Sequence, residues 1–187
     1  MSKHILRLLT FTCVLSFAVV GCKKDDDLPD VPPSDNPGEI ITKMVLNFTD
    51  SANASNTVTA MFSDPDGEGG NGPEVFDDIV LAANTTYFVT ITLANESNPS
   101  SIEDVTPEIL EEDDEHLFCF TATDADVTVE RTDTDGQFEV GLSSTWRTGA
   151  SSSGIVFVVL KHQPDVKDGT CTPGDTDIEV AFPTMIN

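Results

Sequence analysis

Two histidines lie where metal ligands could meet. His116 begins one predicted strand and His162 ends another. If these strands are antiparallel neighbours, both imidazoles lie at the same end of the sheet, close to the acidic residues 111–115. Two imidazoles together with carboxylates suit zinc or copper. The alternative is that each histidine makes an ordinary local hydrogen bond, because the chain has no Cys-x-x-Cys spacing and no third histidine outside its N-terminal segment.

An acidic, glycine-rich loop is a candidate calcium site. Asp64, Asp66, Glu68 and Asn71 place side-chain oxygens at intervals around glycines. Calcium takes six to eight oxygen ligands, and glycines let several of them converge on one ion. The match to an EF-hand is poor, because Glu74 precedes the position of the expected terminal glutamate by one residue. The alternative is that these acids serve solubility and turn formation.

Two cysteines predict a disulfide bond. Cys119 and Cys171 are the pair that remains beyond the first 22 residues. They follow the strands of His116 and His162, so the same antiparallel pairing brings them together, and an even pair is typical of an oxidising compartment. The bond would contribute about 3–4 kcal/mol in the chain-entropy description. The alternative is a free, buried Cys119.

Composition and motifs argue against two classes of function. The chain has 187 residues, with 9 Lys and Arg against 33 Asp and Glu and a net charge of −24. Such a surface repels phosphate backbones, so we expect no nucleic-acid partner. There is no Gly-x-Ser-x-Gly, no Walker-type loop and no His-Glu-x-x-His, so we expect no enzyme. Trp146 and Tyr87, the only residues of their types, are expected in the core rather than on a carbohydrate-binding face.

Period-two alternation of apolar residues predicts an all-β fold from about residue 39 onward. We expect an antiparallel β-sandwich of immunoglobulin-like type, with eight to nine strands. The run 154–160 is continuously apolar and predicts a central strand covered on both faces. Asp-Gly at 135–136 predicts a hairpin turn, and Ser143–Thr145 are expected at polar edges or turns. The strands are predicted at 43–49, 57–63, 79–81, 86–93, 116–121, 126–130, 138–142, 154–160 and 177–182.

One short helix is expected between these strands. Ser101 suits a helix N-cap, and Asp104 suits the first turn. Ile102, Val105 and Ile109 can share one helical face, although Pro107 limits the helix to a turn or two on either side. We expect this segment to cover one end of the sandwich.

The first 21 residues predict a secretory signal. Lys3 and Arg7 precede an apolar run that is shorter than a transmembrane helix normally needs. The end, Val-Val-Gly-Cys at 19–22, resembles a bacterial lipobox, which implies cleavage before Cys22 and acylation of that cysteine, palmitate included. An ordinary signal peptide with a chance cysteine is the alternative. Residues 22–38 are acidic and proline-rich, which predicts an extended tether between the lipid and the domain 39–187.

The residues after Cys22 suggest a location. Lys24-Asp25-Asp26 resembles the surface-export signal of Bacteroidota lipoproteins, which implies that the protein is anchored in the outer membrane and faces outward. A tether that leaves the domain facing the periplasm is the alternative. The lipid anchor makes the membrane a partner, while the acidic domain should stand away from anionic headgroups.

Several segments together resemble one family. The acidic run through Phe120, residues 132–136, 160–164 and 174–180 are similar to short Bacteroidota lipoproteins of unassigned role, over about residues 40–187. Some of these carry the label "type 1 periplasmic binding fold", which implies a larger α/β domain that the strand pattern does not fit. We therefore expect a lipid-anchored binding or structural module, with calcium as a possible stabilising ion. The alternatives are an auxiliary subunit of an outer-membrane assembly, with a protein partner, and a metal-dependent enzyme with an unrecognised site.

Overall fold

Alternating apolar residues build most of the strands, because successive side chains of a strand point to opposite faces. In the computed structural model, which describes residues 38–67 and 69–187, Met44, Leu46 and Phe48 of the first strand are fully buried. The described residues belong to the compact unit Asp35–Asn187. Its elements in chain order are β1 (Lys43–Asp50), β2 (Thr57–Ser63), β3 (Val75–Phe76), β4 (Ile79–Leu81), β5 (Thr86–Asn95), β6 (Glu103–Asp104), α1 (Thr106–Glu111), β7 (His116–Thr123), β8 (Val127–Arg131), β9 (Ser143–Thr148), β10 (Ser152–His162) and β11 (Asp175–Ile186).

The strands form the two sheets of a sandwich. The larger sheet, sheet A, has the order β3-β2-β1-β5-β9-β8, with β6 paired to β5. The smaller sheet, sheet B, has the order β4-β11-β10-β7. All pairs are antiparallel except β11 with β4, which is parallel. The expected all-β sandwich with one short helix is thus confirmed.

An aromatic cluster fills the core between the sheets. Trp146 and Tyr87 are 0% and 1% exposed, which confirms their expected burial. The ring of Phe48 meets both edge-on, with centroids 5.2 Å from Trp146 and 6.1 Å from Tyr87. The indole N–H donates to the hydroxyl of Ser144, and the Tyr87 hydroxyl accepts the N–H of Ala82, so both polar tips are satisfied.

The segment 138–148 differs from expectation. Residues 138–142 are not a strand, although an isolated bridge between Thr134 and Glu139 confirms the hairpin turn. The Asp133 carboxylate accepts the backbone N–H groups of Gly141 and Ser143, and such side-chain bonds compete with a strand ladder. The polar residues Ser143–Thr145 were expected at edges or turns, which is wrong. They begin β9, which lies between β5 and β8 and carries Trp146 into the core.

The helix begins later than expected. Ser101 is not its N-cap, and Ile102 is 61% exposed rather than on a buried helical face. Instead, Glu103–Asp104 pair with β5, and α1 starts at Thr106, directly before Pro107. Proline is favoured in the first turn because its missing N–H would have no helical partner there.

Strand β10 is covered fully on one face only. Its inward residues Val156, Val158 and Leu160 are buried, while Ile155 on the outward face is 39% exposed. The expectation of a strand covered on both faces is therefore wrong, because no second layer packs over this face of sheet B within the described residues. None of the helices in the described part of the chain is long and apolar enough to cross a membrane.

Candidate functional site

Four side chains converge at one end of the sandwich. Glu39, Glu112, His116 and His162 each offer one ligand atom, and these atoms all lie within 4.8 Å of one another. The two imidazole rings are stacked, with centroids 4.9 Å apart and planes 9° apart. Both histidines are buried, at 0% and 4% exposure. We call these four residues the histidine–carboxylate cluster.

The sheet register places the two histidines side by side. His116 is the first residue of β7 and His162 the last of β10, and the two are direct partners in the antiparallel pair. Both side chains lie on the inward face, in line with Phe118 and Leu160. Residues after α1 bring Glu112 to this point, and the chain just before β1 brings Glu39. Three segments of the chain, at residue 39, residues 112–116 and residue 162, therefore build the cluster.

The hydrogen bonds of His116 define its tautomer. Its Nδ1 lies 2.9 Å from the backbone oxygen of Glu112, and because a carbonyl only accepts, Nδ1–H donates this bond. In a neutral ring, Nε2 then keeps its lone pair. The same Nε2 lies 3.1 Å from Oε2 of Glu39, at hydrogen-bond distance, and 3.8 Å from Oδ2 of Asp177. A backbone carbonyl that orients an imidazole in this way is a common support of metal-ligating histidines.

Two buried atoms next to the cluster lack hydrogen-bond partners. They are Nε2 of His162 and Oδ2 of Asp177. The Glu115 carboxylate lies 3.5 Å from this nitrogen without forming a hydrogen bond. Buried polar groups are rarely left unpaired, and an ion that is absent from a structure is one reason for an unpaired group.

Further carboxylates crowd around the cluster. Burial raises the pKa of Asp177 to about 8, and the neighbouring Glu39 adds to this effect. Burial also raises the pKa of Glu108 on α1, with further contributions from Glu39, Glu112 and Glu103. Carboxylates packed this closely are stable only when protons or a cation neutralise them.

The donor set fits a divalent transition ion. Zinc bonds to imidazole nitrogen and carboxylate oxygen at about 2.0–2.2 Å, and two imidazoles with two carboxylates are ligands that it accepts. Calcium, by contrast, takes oxygen ligands. In a tetrahedral site with these bond lengths, ligand atoms lie about 3.3 Å apart, so the present spacing of up to 4.8 Å requires a modest contraction around an ion.

A disulfide bond supports the same end of sheet B. Cys119 of β7 is bonded to Cys171, which confirms the predicted pair, with 6.1 Å between their Cα atoms. Cys171 lies in the loop between β10 and β11. The buried Gln163 at the start of this loop donates to the carbonyls of Thr170 and Pro173. The bond and the glutamine together hold the loop that follows His162.

In the loop predicted to bind calcium, an acidic side chain accepts hydrogen bonds from within the loop. Oδ2 of Asp66 accepts both the backbone N–H and the side-chain amide of Asn71, at 2.8 and 2.7 Å. Asp64 is half-buried, and Glu68 lies outside the described residues. Among the described residues, the group that could hold a metal includes neither Asp64 nor Asp66. Calcium binding at this loop stays a prediction. Acylation of Cys22 and the export signal stay predictions too, because those residues lie outside the described part of the chain.

Two members of the site were not anticipated from the sequence as ligands. In the sequence, Glu39 stands at the predicted start of the domain, and Asp177 occupies one position of an alternating strand. The one sequence signal for Glu39 as a ligand is that it is a single acid at the end of a proline-rich segment. Glu112 belongs to the acidic residues 111–115, which were expected near the histidines.

No protein-family model, curated protein or solved structure matches this chain. The functional argument therefore depends on the chemistry of the histidine–carboxylate cluster.

Proposed function

We propose that the chain is an exported, lipid-anchored β-sandwich that binds one divalent transition-metal ion, of the zinc class, at the histidine–carboxylate cluster. The observation that carries the proposal is the pair of buried, stacked imidazoles with two carboxylates within 4.8 Å. The unpartnered Nε2 of His162 supports it further.

The site is closed, which favours a binding or structural role over catalysis. Catalytic zinc sites keep three protein ligands and one open position, whereas structural sites have four protein ligands. Here four protein groups are present, and Asp177 lies directly beside them, with its side chain 3% exposed. We accordingly propose that the protein is not an enzyme.

Titration calorimetry of the metal-stripped chain with zinc tests this function. We expect one zinc ion per chain, and calcium should not compete for this site. Glu112→Gln should weaken zinc binding about tenfold or more. Glu111→Gln is the matched control, because Glu111 is the exposed neighbour and loses the same charge. Absence of zinc binding, or equal effects of the two variants, would contradict the proposal.

The export and anchoring parts of the proposal have separate tests. Incorporation of labelled palmitate should be lost in Cys22→Ser. Digestion of intact cells by an external protease should remove the domain if it faces outward, and should spare it if it faces the periplasm.

A second function, as a subunit of an outer-membrane assembly, is favoured by the outward face of sheet B. Val80, Ile155 and Met185 are 42%, 39% and 44% exposed on this face, and the half-buried Phe157 and Val159 extend the same face along β10. Apolar patches of this kind are typical of interaction surfaces. Because the chain is strongly acidic, the matching partner would be a protein with an apolar face and a basic rim.

Crosslinking in cells tests this second function. Ile155→Glu should abolish a specific crosslinked product without lowering the melting temperature. Phe88→Glu is the control, because Phe88 is 57% exposed on the outer face of the other sheet. An unchanged product in Ile155→Glu would rule out sheet B as the docking face.

A further inference from the structure

The ligands of the cluster differ in how firmly the fold holds them. His116 and His162 are fixed by the pairing of β7 with β10, and the backbone oxygen of Glu112 is bonded to the His116 ring. Glu39 alone comes from the segment 38–42, which leads from the N-terminal part of the chain into β1. We call this segment the strap.

From Ile41 onward the strap is held by the core, because the Ile41 side chain is only 9% exposed. The bonds of the strap to sheet A begin at Thr42, whose N–H donates to the carbonyl of Ala94 and whose hydroxyl accepts the N–H of Glu96. Ile40 is 66% exposed, and it lines a groove on each side of the strap, of about 250 and 760 Å³. By contrast, the Glu39 carboxylate is 5% exposed, against His116.

The strap also lies unusually close to the acids beneath it. A Cβ atom added at Gly38 would be 2.5 Å from Oδ1 of Asp177, so only glycine fits there without displacement. A divalent ion bound by the cluster attracts the carboxylate of Glu39 and so holds the strap in this close position.

We propose that an ion bound by the histidine–carboxylate cluster fastens residues 38–40 of the strap to sheet B, so that the attachment of these residues to the sandwich depends on the metal. This inference rests on the proposed function. The strap enters β1 of sheet A, whereas both histidines belong to sheet B. The ion therefore joins the two sheets at this end through the segment by which the domain meets the rest of the chain.

Limited proteolysis of the full chain tests the inference. Subtilisin cleavage within residues 38–42 is followed by mass spectrometry, with saturating zinc or with chelator, alongside calorimetric titration of zinc. Cleavage follows the population of the opened segment. We expect zinc to slow cleavage of the strap about tenfold or more, and to leave cleavage of the exposed loop 51–56 unchanged.

Two variants separate the strap from the rest of the site. Glu39→Gln should lose most of the zinc-dependent protection of the strap, whereas Glu74→Gln, at an exposed acid, should behave like the unsubstituted chain. Gly38→Ala keeps all four ligands and should weaken both the protection and the zinc affinity.

The outcomes distinguish the two proposals. If zinc binds and the strap is cleaved at the same rate as with chelator, the fastening is refuted and the metal-binding function stands. If zinc does not bind at all, the function itself is refuted. Full zinc-dependent protection in Glu39→Gln would also overturn the fastening.

Discussion

A buried ion pair braces the end of the sandwich that carries the histidine–carboxylate cluster, and its removal should be costly. Nζ of Lys167 lies 2.7 Å from Oδ2 of Asp135 and donates to the backbone oxygen of Asp113 at 2.6 Å. The two side chains are 3% and 4% exposed. Because Asp113 follows Glu112, this lysine holds the loop that carries a proposed ligand.

The substitution Asp135→Asn would leave the Lys167 ammonium without a charged partner. Breaking a buried pair costs about 3–5 kcal/mol, and we expect the lower end, about 3 kcal/mol, because both residues line a groove open to solvent. Lys167→Met should cost less, since the other oxygen of Asp135 still accepts the N–H groups of Gln137 and Phe138. In the double variant the losses should be less than additive.

Urea unfolding across pH checks this reasoning. Burial by itself raises the pKa of Asp135, but the hydrogen bonds from Lys167, Phe138 and Gln137 outweigh it and lower the pKa below its usual value. A lowered carboxyl pKa adds stability above about pH 4 that is lost as the pH falls through the folded-state value. The gap between the unsubstituted chain and Asp135→Asn should therefore shrink in acid. A gap below about 1 kcal/mol at pH 7, or one that stays constant down to about pH 2.5, would refute the assignment.

Three further predictions concern the scaffold. Replacing both Cys119 and Cys171 by alanine should lower the free energy of unfolding by about 4 kcal/mol, as measured in urea; a loss below about 1 kcal/mol would contradict the loop-entropy argument. Gly141→Ala should cost about 2–4 kcal/mol, because Gly141 has φ of +97° and an added Cβ would lie 2.8 Å from Cβ of Phe118; an unchanged melting temperature would show that the loop relaxes. Burial and nearby carboxylates raise the pKa of Asp177 to about 8, so with chelator present the folded chain retains a proton that the unfolded chain releases above about pH 4. The stability of the metal-free chain should therefore fall as the pH rises from about 5 to 8, and Asp177→Asn should flatten that profile; parallel profiles in urea would contradict it.

The parts of the fold that followed from the sequence are those governed by local alternation. Strands such as Lys43–Asp50 and Thr57–Ser63 were anticipated because one face of each is apolar. One failure occurs where a side chain takes over backbone hydrogen bonds. Asp133 does so at the absent strand 138–142, and no periodicity reveals such a bond in advance. Ser143–Thr148 was missed because its hydroxyl groups look like a turn, although it lies inside sheet A.

By itself, the sequence determined the sandwich, the cysteine pair and the position of two histidines at strand ends. These properties depend on residue type and on short spacing, and both can be read along the chain. The tertiary structure alone decided the register that makes His116 and His162 direct partners. The tertiary structure also decided which acids lie beside the histidines. Glu39 and Asp177 are distant from them in sequence and come close only when the two sheets pack together. A metal-ligand set is a long-range contact, and it exists only once the core has packed.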